Sequence, residues 1–216
     1  MIEQIDQIVR MIAVGAGLML VAQLAAGAIR APLRMAAVAT AITLIAQMIA
    51  APAPAAPSDA VPALASLAAL ASPLALWLLA QQLLGRAASR RITLVVGAAL
   101  VMAWAADSFI PATGRTGFFI GNLIALGLVA DIVRITIPDT ARDGANRAVA
   151  LWLPGLALVQ SGISATAEIA TFPFRIPAAL ELLCSTATLA LIVFIGLALF
   201  RPASQWDEAE DRDTQQ

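Results

Sequence analysis

Apolar residues run through this chain in long blocks rather than at alternating positions. Seven blocks approach membrane-spanning length, at roughly 8–29, 33–51, 63–84, 92–109, 117–137, 149–170 and 178–199. A transmembrane helix needs about 20 mostly apolar residues, and each block comes close to that length with few charges. Turn-forming residues separate the blocks at Pro32 and at 52–62, 111–117, 138–144 and 173–177. Pro73 and Pro154 fall inside blocks, where they are tolerated and predict kinks. The expected fold is an all-α membrane protein. It comprises a seven-transmembrane-helix bundle over 1–200 and an acidic disordered cytoplasmic tail over 201–216.

Arginine sets the expected orientation. With the N-terminus outside, ten arginines face the cytoplasm: Arg30, Arg34, Arg86, Arg90, Arg91, Arg134, Arg142, Arg147, Arg201 and Arg212. Three lie outside, Arg10, Arg115 and Arg175. Basic residues collect on the cytoplasmic side, which predicts the N-terminus outside, the C-terminus cytoplasmic and an odd number of spans in a cell inner membrane. The stretch from Met1 to Arg10 carries Glu3, Asp6 and a single arginine, a poor match to the basic start of a signal peptide. The first block is therefore expected to be a mature helix. Residues 52–59 form a stiff Pro/Ala linker outside, and the tail bears Asp207, Glu208, Glu210, Asp211 and Asp213.

Composition then narrows the chemistry. The chain of 216 residues is 61% apolar and 12% charged, whereas soluble domains carry about 25% charged residues. It has no His, Lys or Tyr, and Cys184 is its single cysteine. The lack of His removes the usual axial ligands of haem and imidazole metal sites. The lack of Lys removes any retinal or pyridoxal Schiff base. One cysteine builds no internal disulfide, Cys-rich zinc site or iron–sulfur site. A net charge of −1 offers no footprint for nucleic acid. No cofactor or metal is expected.

Ionisable residues in spans are costly and mark candidate sites. Asp107, Glu168 and Glu181 fall near the outer ends of the fourth, sixth and seventh blocks, and Arg115 and Arg175 lie in outer loops. If those blocks adjoin, the five residues line an outward-facing polar cup that takes a small polar or cationic ligand. The plainer reading is that each acid snorkels or pairs with a loop arginine. Asp131 and Arg134 can form an ion pair at i, i+3, and with Arg142 and Arg147 they offer a docking surface for a cytoplasmic partner. That charged loop equally serves as a positive-inside anchor.

Gln23, Gln47, Gln81, Gln82, Asn122, Gln160, Ser161, Ser164, Thr166 and Ser185 are scattered through the blocks, where such groups hydrogen-bond between helices. The run 160–168 is the most polar, so the sixth helix should face the bundle interior. Gly117 with Gly121, and Ala13 with Gly17, are small-xxx-small pairs that favour close packing. Trp77, Trp104 and Trp152 read as packing or interfacial aromatics. Nothing supplies a nucleophile with its base, a facing acid pair at depth or a Gly-rich phosphate loop, so no enzyme is expected.

Three stretches carry a resemblance. Ser72-Pro73-Leu74-Ala75-Leu76-Trp77-Leu78-Leu79 is similar to a Pro-x-x-Phe-Trp-Leu-Phe signature. The exit of the fifth block runs into a charged Asp/Arg loop, and Pro177-Ala178-Ala179-Leu180-Glu181-Leu182-Leu183 is similar to a last helix. Together they resemble the multi-span N-terminal membrane domain of AraC-type transcriptional regulators, over about residues 30–200. In that family the last helix leads into a helix-turn-helix module. Here the sequence ends within 16 residues of Arg201, and the internal loop has fewer arginines. The resemblance therefore implies a stand-alone sensory-type domain or a reused scaffold, without DNA binding.

The function expected is a non-enzymatic inner-membrane protein that senses or relays through a separate protein partner. A small transporter or channel, and an accessory subunit of a larger membrane complex, are the alternatives.

Overall fold

A computed structural model describes residues 2–27, 29–50, 60–109, 116–138, 145–163, 165–166, 169 and 178–200. The described residues are helical, with no strand among them. The helices are α1 (Ile2–Ala26), α2 (Ala31–Ala50), α3 (Ala60–Leu70), α4 (Ser72–Leu83), α5 (Arg90–Phe109), α6 (Thr116–Thr136), α7 (Ala145–Ala157) and α8 (Ala178–Leu199). A π-helical turn, Leu158–Ile163, continues α7. By length and apolarity α1, α2, α5, α6 and α8 can each cross a bilayer, and α3 with α4 makes a sixth, bent candidate.

Two of the expected spans differ from a plain rod. The block at 63–84 is two helices that meet at an angle of 45°. Pro73 lies in the first turn of α4 and has no N–H to give to the preceding turn. At the break, Ala71 N–H is shared between the carbonyls of Leu67 and Ala68. Pro154 sits inside α7 without ending it, and the wider π turn begins four residues later. The first span also starts earlier than its apolar block: α1 begins at Ile2 and takes in Asp6, one turn before Arg10. An acid four residues before a base supports a helical turn through its own ion pair, which a hydropathy reading does not weigh.

The bundle closes on itself. α1 packs between α2 and α8, while α2 also meets α3, α4 and, less extensively, α8. α4 packs on α6 and α7, and the π turn lies against α6 and α8. α5 leans on α6, with α3 and α4 at its side. Leu24, Leu44, Leu76, Leu79, Ile132, Leu153, Leu191 and Ile195 fill the centre. The outside is equally apolar: Met11 is 76% exposed, Val95 69% and Leu197 67%. Such a surface in water would be a liability, so these faces belong against lipid. The chain is a multi-span helical membrane protein.

Gly85 ends α4. Its φ of +66° is the left-handed conformation that lets Gly85 N–H reach the Gln82 carbonyl and Arg86 N–H reach that of Gln81. The cap holds the start of the next connection, with Arg86, close to the helix end.

Candidate functional site

The acids expected to share an outer cup take separate partners where they are described. Asp107, near the end of α5, accepts hydrogen bonds from the backbone N–H groups of Gly117 (2.9 Å) and Phe118. It thereby satisfies two donors that the first turn of α6 cannot use internally. Glu181, one turn into α8, faces Arg10 of α1, with Oε2 3.8 Å from Nη2. Arg10 in turn donates through Nε to Asp6 at 2.6 Å. α8 packs on α1, α2, α7 and the π turn, whereas α5 packs on α6, α3 and α4. Glu168, Arg115 and Arg175 lie outside the described residues.

The Asp6–Arg10–Glu181 group was missed as a unit. The spacing of Asp6 and Arg10 was legible, but an outer end placed before the first span concealed that both lie within the bundle. Only 7% of Asp6 is exposed.

At the other end of the bundle, Asp131 of α6 holds two helices together. It accepts from Trp77 Nε1 of α4 at 2.8 Å and pairs with Arg134 at 2.7 Å. Trp77 is buried, so its indole N–H has a partner where it would otherwise lose water. Trp77 and the Asp/Arg exit of α6 are two of the stretches that carried the family resemblance, and they meet here. Arg134 is exposed, with its side chain 78% accessible. Arg142 lies outside the described residues, as does the side chain of Arg147.

A third polar group joins α2, α4 and the π turn. Gln47 Oε1 of α2 accepts from Gln160 Nε2 of the π turn at 2.6 Å and from Ser72 Oγ, at the break before α4, at 3.3 Å. Ser161 Oγ donates to Gln160 Oε1. Gln160 is 1% exposed, Ser72 3% and Ser161 5%. Backbone that departs from a regular α-helix inside a membrane must be buried in protein or line a cavity. Two such departures, the break at Ala71 and the π turn, bring polar residues to the same carboxamide. Hydroxyls and carboxamides supply donors and acceptors but no general acid or base.

The interior placement expected for the polar run 160–168 holds at Gln160 and Ser161, while Thr166 is exposed and Ser164 and Glu168 lie outside the described residues. What sequence did not supply was the pairing: Gln47 and Gln160 are 113 residues apart, and neither belongs to a motif. Among the described residues, no group of three or more Cys, Asp or Glu is arranged to hold a metal ion.

Comparison with known proteins adds no relative: no family model, curated protein or solved structure matches the chain.

Proposed function

We propose that this chain is a non-enzymatic, seven-span inner-membrane protein that relays a change of state across the bilayer to a separate partner. In this reading the N-terminus is outside and the C-terminus cytoplasmic, as the distribution of arginines favours. The span that brings the count to seven is the sixth block, the stretch beginning at α7, whose described part runs through the π turn. The observation that carries the proposal is the double acceptance at Gln47, which links a bent helix to a π turn. A relay needs an element with two arrangements whose balance a ligand can shift. Two irregular helices sharing one carboxamide form such an element, because rotating either helix removes its hydrogen bond to Gln47 and leaves the other helix's bond to fix that side chain. The outer acids Asp107, Glu168 and Glu181, with Arg115 and Arg175, remain the input side of this reading. Asp131, Arg134, Arg142 and Arg147 are its output side.

The test is a cysteine placed at Arg134 in a Cys184→Ser background, with its rate of modification measured from the cytoplasmic face. Gln160→Leu should change that rate although the substitution lies on a different helix. An unchanged rate in a folded protein would reject the relay. Glu168→Gln with Glu181→Gln should remove the response to an outer ligand while leaving insertion intact.

A transporter is the second reading, favoured by the same buried polar groups between interrupted helices. Solute flux in proteoliposomes that falls with Gln47→Leu would support it over the relay.

A further inference from the structure

The bend between α3 and α4 leaves a groove against α5. Its volume is about 380 Å³, and Leu67, Ala68, Leu74, Gly97, Leu100 and Val101 are among its lining residues. It opens outward, with Leu64 63% and Val101 50% exposed at its rim. The lining is apolar throughout, so the membrane interior rather than water is its natural filling.

Position on α5 says more about the occupant. Arg90 and Arg91 form the first turn of the helix, are exposed, and take part in no ion pair among the described residues. At about 100° per residue, Gly97 and Val101 lie within about 20° of Arg90 around the helix. Along the axis they lie about 10 Å and 16 Å from it. Half of a bilayer's hydrocarbon core is about 15 Å thick. The distance from arginine to the far end of the groove therefore matches one leaflet. A guanidinium at the surface with an apolar trough directly below it is complementary to one molecule: an anionic headgroup with its acyl chain.

We infer that the α3–α4/α5 groove is a binding site for an anionic phospholipid in the leaflet where α5 begins. The phosphate lies against Arg90, with Arg91 about 100° further round the same turn adding positive charge at the surface, and one acyl chain lies across Gly97. Glycine at 97 leaves room for the chain, since an added Cβ there would meet only Leu74, at 3.7 Å. The inference holds whichever side of the membrane that leaflet faces.

The full chain is reconstituted in nanodiscs of phosphatidylcholine mixed with phosphatidylglycerol, and the lipids retained after mild extraction are counted by native mass spectrometry. The wild type should retain phosphatidylglycerol in preference. Replacing both arginines (R90Q with R91Q) should reduce that preference by on the order of fivefold for each charge removed. Arg30 and Arg34 lie near the start of α2, on the same side of the bundle when α3 and α4 count as one span. Their double replacement (R30Q with R34Q) removes equal charge there and should leave the preference in place. Gly97→Leu fills the trough and should lower retention of either lipid. If that variant misfolds, Val101→Trp at the exposed rim gives the same reading from outside. Equal loss with the two arginine pairs would overturn the site in favour of general surface attraction. Retention unchanged by Gly97→Leu or Val101→Trp would overturn it as well, as would a stable dimer that excludes lipid and is broken by those substitutions.

Discussion

The α5–α6 hairpin and the α2–α4–π-turn core are held together by opposite means. In the hairpin the backbones themselves meet: a Cβ built on Gly117 would stand 2.0 Å from the carbonyl oxygen of Ala103. The same end is tied by Asp107, whose carboxylate caps the first turn of α6. In the core, contact is made by the flexible ends of Gln47 and Gln160, with Ser72 and Ser161 at their sides. A backbone contact has one geometry and no substitute. A carboxamide can turn and find another donor or acceptor, so a contact made through Gln47 and Gln160 tolerates small shifts that the backbone contact at Gly117 does not. The proposed relay would use that difference, with the core moving against the hairpin as a fixed frame.

The comparison can be broken, most severely at Gly117. Gly117→Leu should separate α5 from α6 and cost about 3 kcal/mol, seen as a shift in reversible unfolding in mixed micelles. A loss below about 1 kcal/mol would show that the hairpin is as adaptable as the core. Asp107→Ala uncaps α6 and should cost about 2 kcal/mol, with Asp107→Asn recovering part of it. Gln160→Leu should cost about 1 kcal/mol, and a double-mutant cycle with Gln47→Leu should give a coupling of similar size. Zero coupling would mean that the two amides do not act together. Trp77→Phe keeps the ring but removes the donor to Asp131, and about 0.5 kcal/mol is expected. Its more informative readout is the mobility of a spin label at Arg134, which should rise as Asp131 loses its anchor to α4.

Much of the frame was legible because hydropathy and small residues act locally. Pro73 marked the break between α3 and α4, and Gly117 with Gly121 marked close packing. The structure puts Gly117 against Ala103 and Gly121 against Leu70. Ala13 and Gly17 were legible in the same way: Ala13 is fully buried, and Gly17 lies against Ile45 of α2. The partnerships of the polar residues were not legible. Any apolar helix face can meet lipid or protein, so the order of packing leaves no local mark. Asp107 shows the consequence: similar depth in the sequence made it a companion of Glu181, while contact gives it to the backbone of α6. The π turn was also hidden, because a wider turn after Pro154 needs no residue type that an α-helix lacks.

The cap on α6 is supplied by a side chain from the helix before it. The carboxylate belongs to one stretch of chain and the two N–H groups to another. A gene divided between positions 109 and 116 would therefore yield two fragments carrying complementary halves of one recognition motif. Co-expressed, such fragments have the means to find each other in the membrane, and the hairpin offers a natural seam for a split reporter.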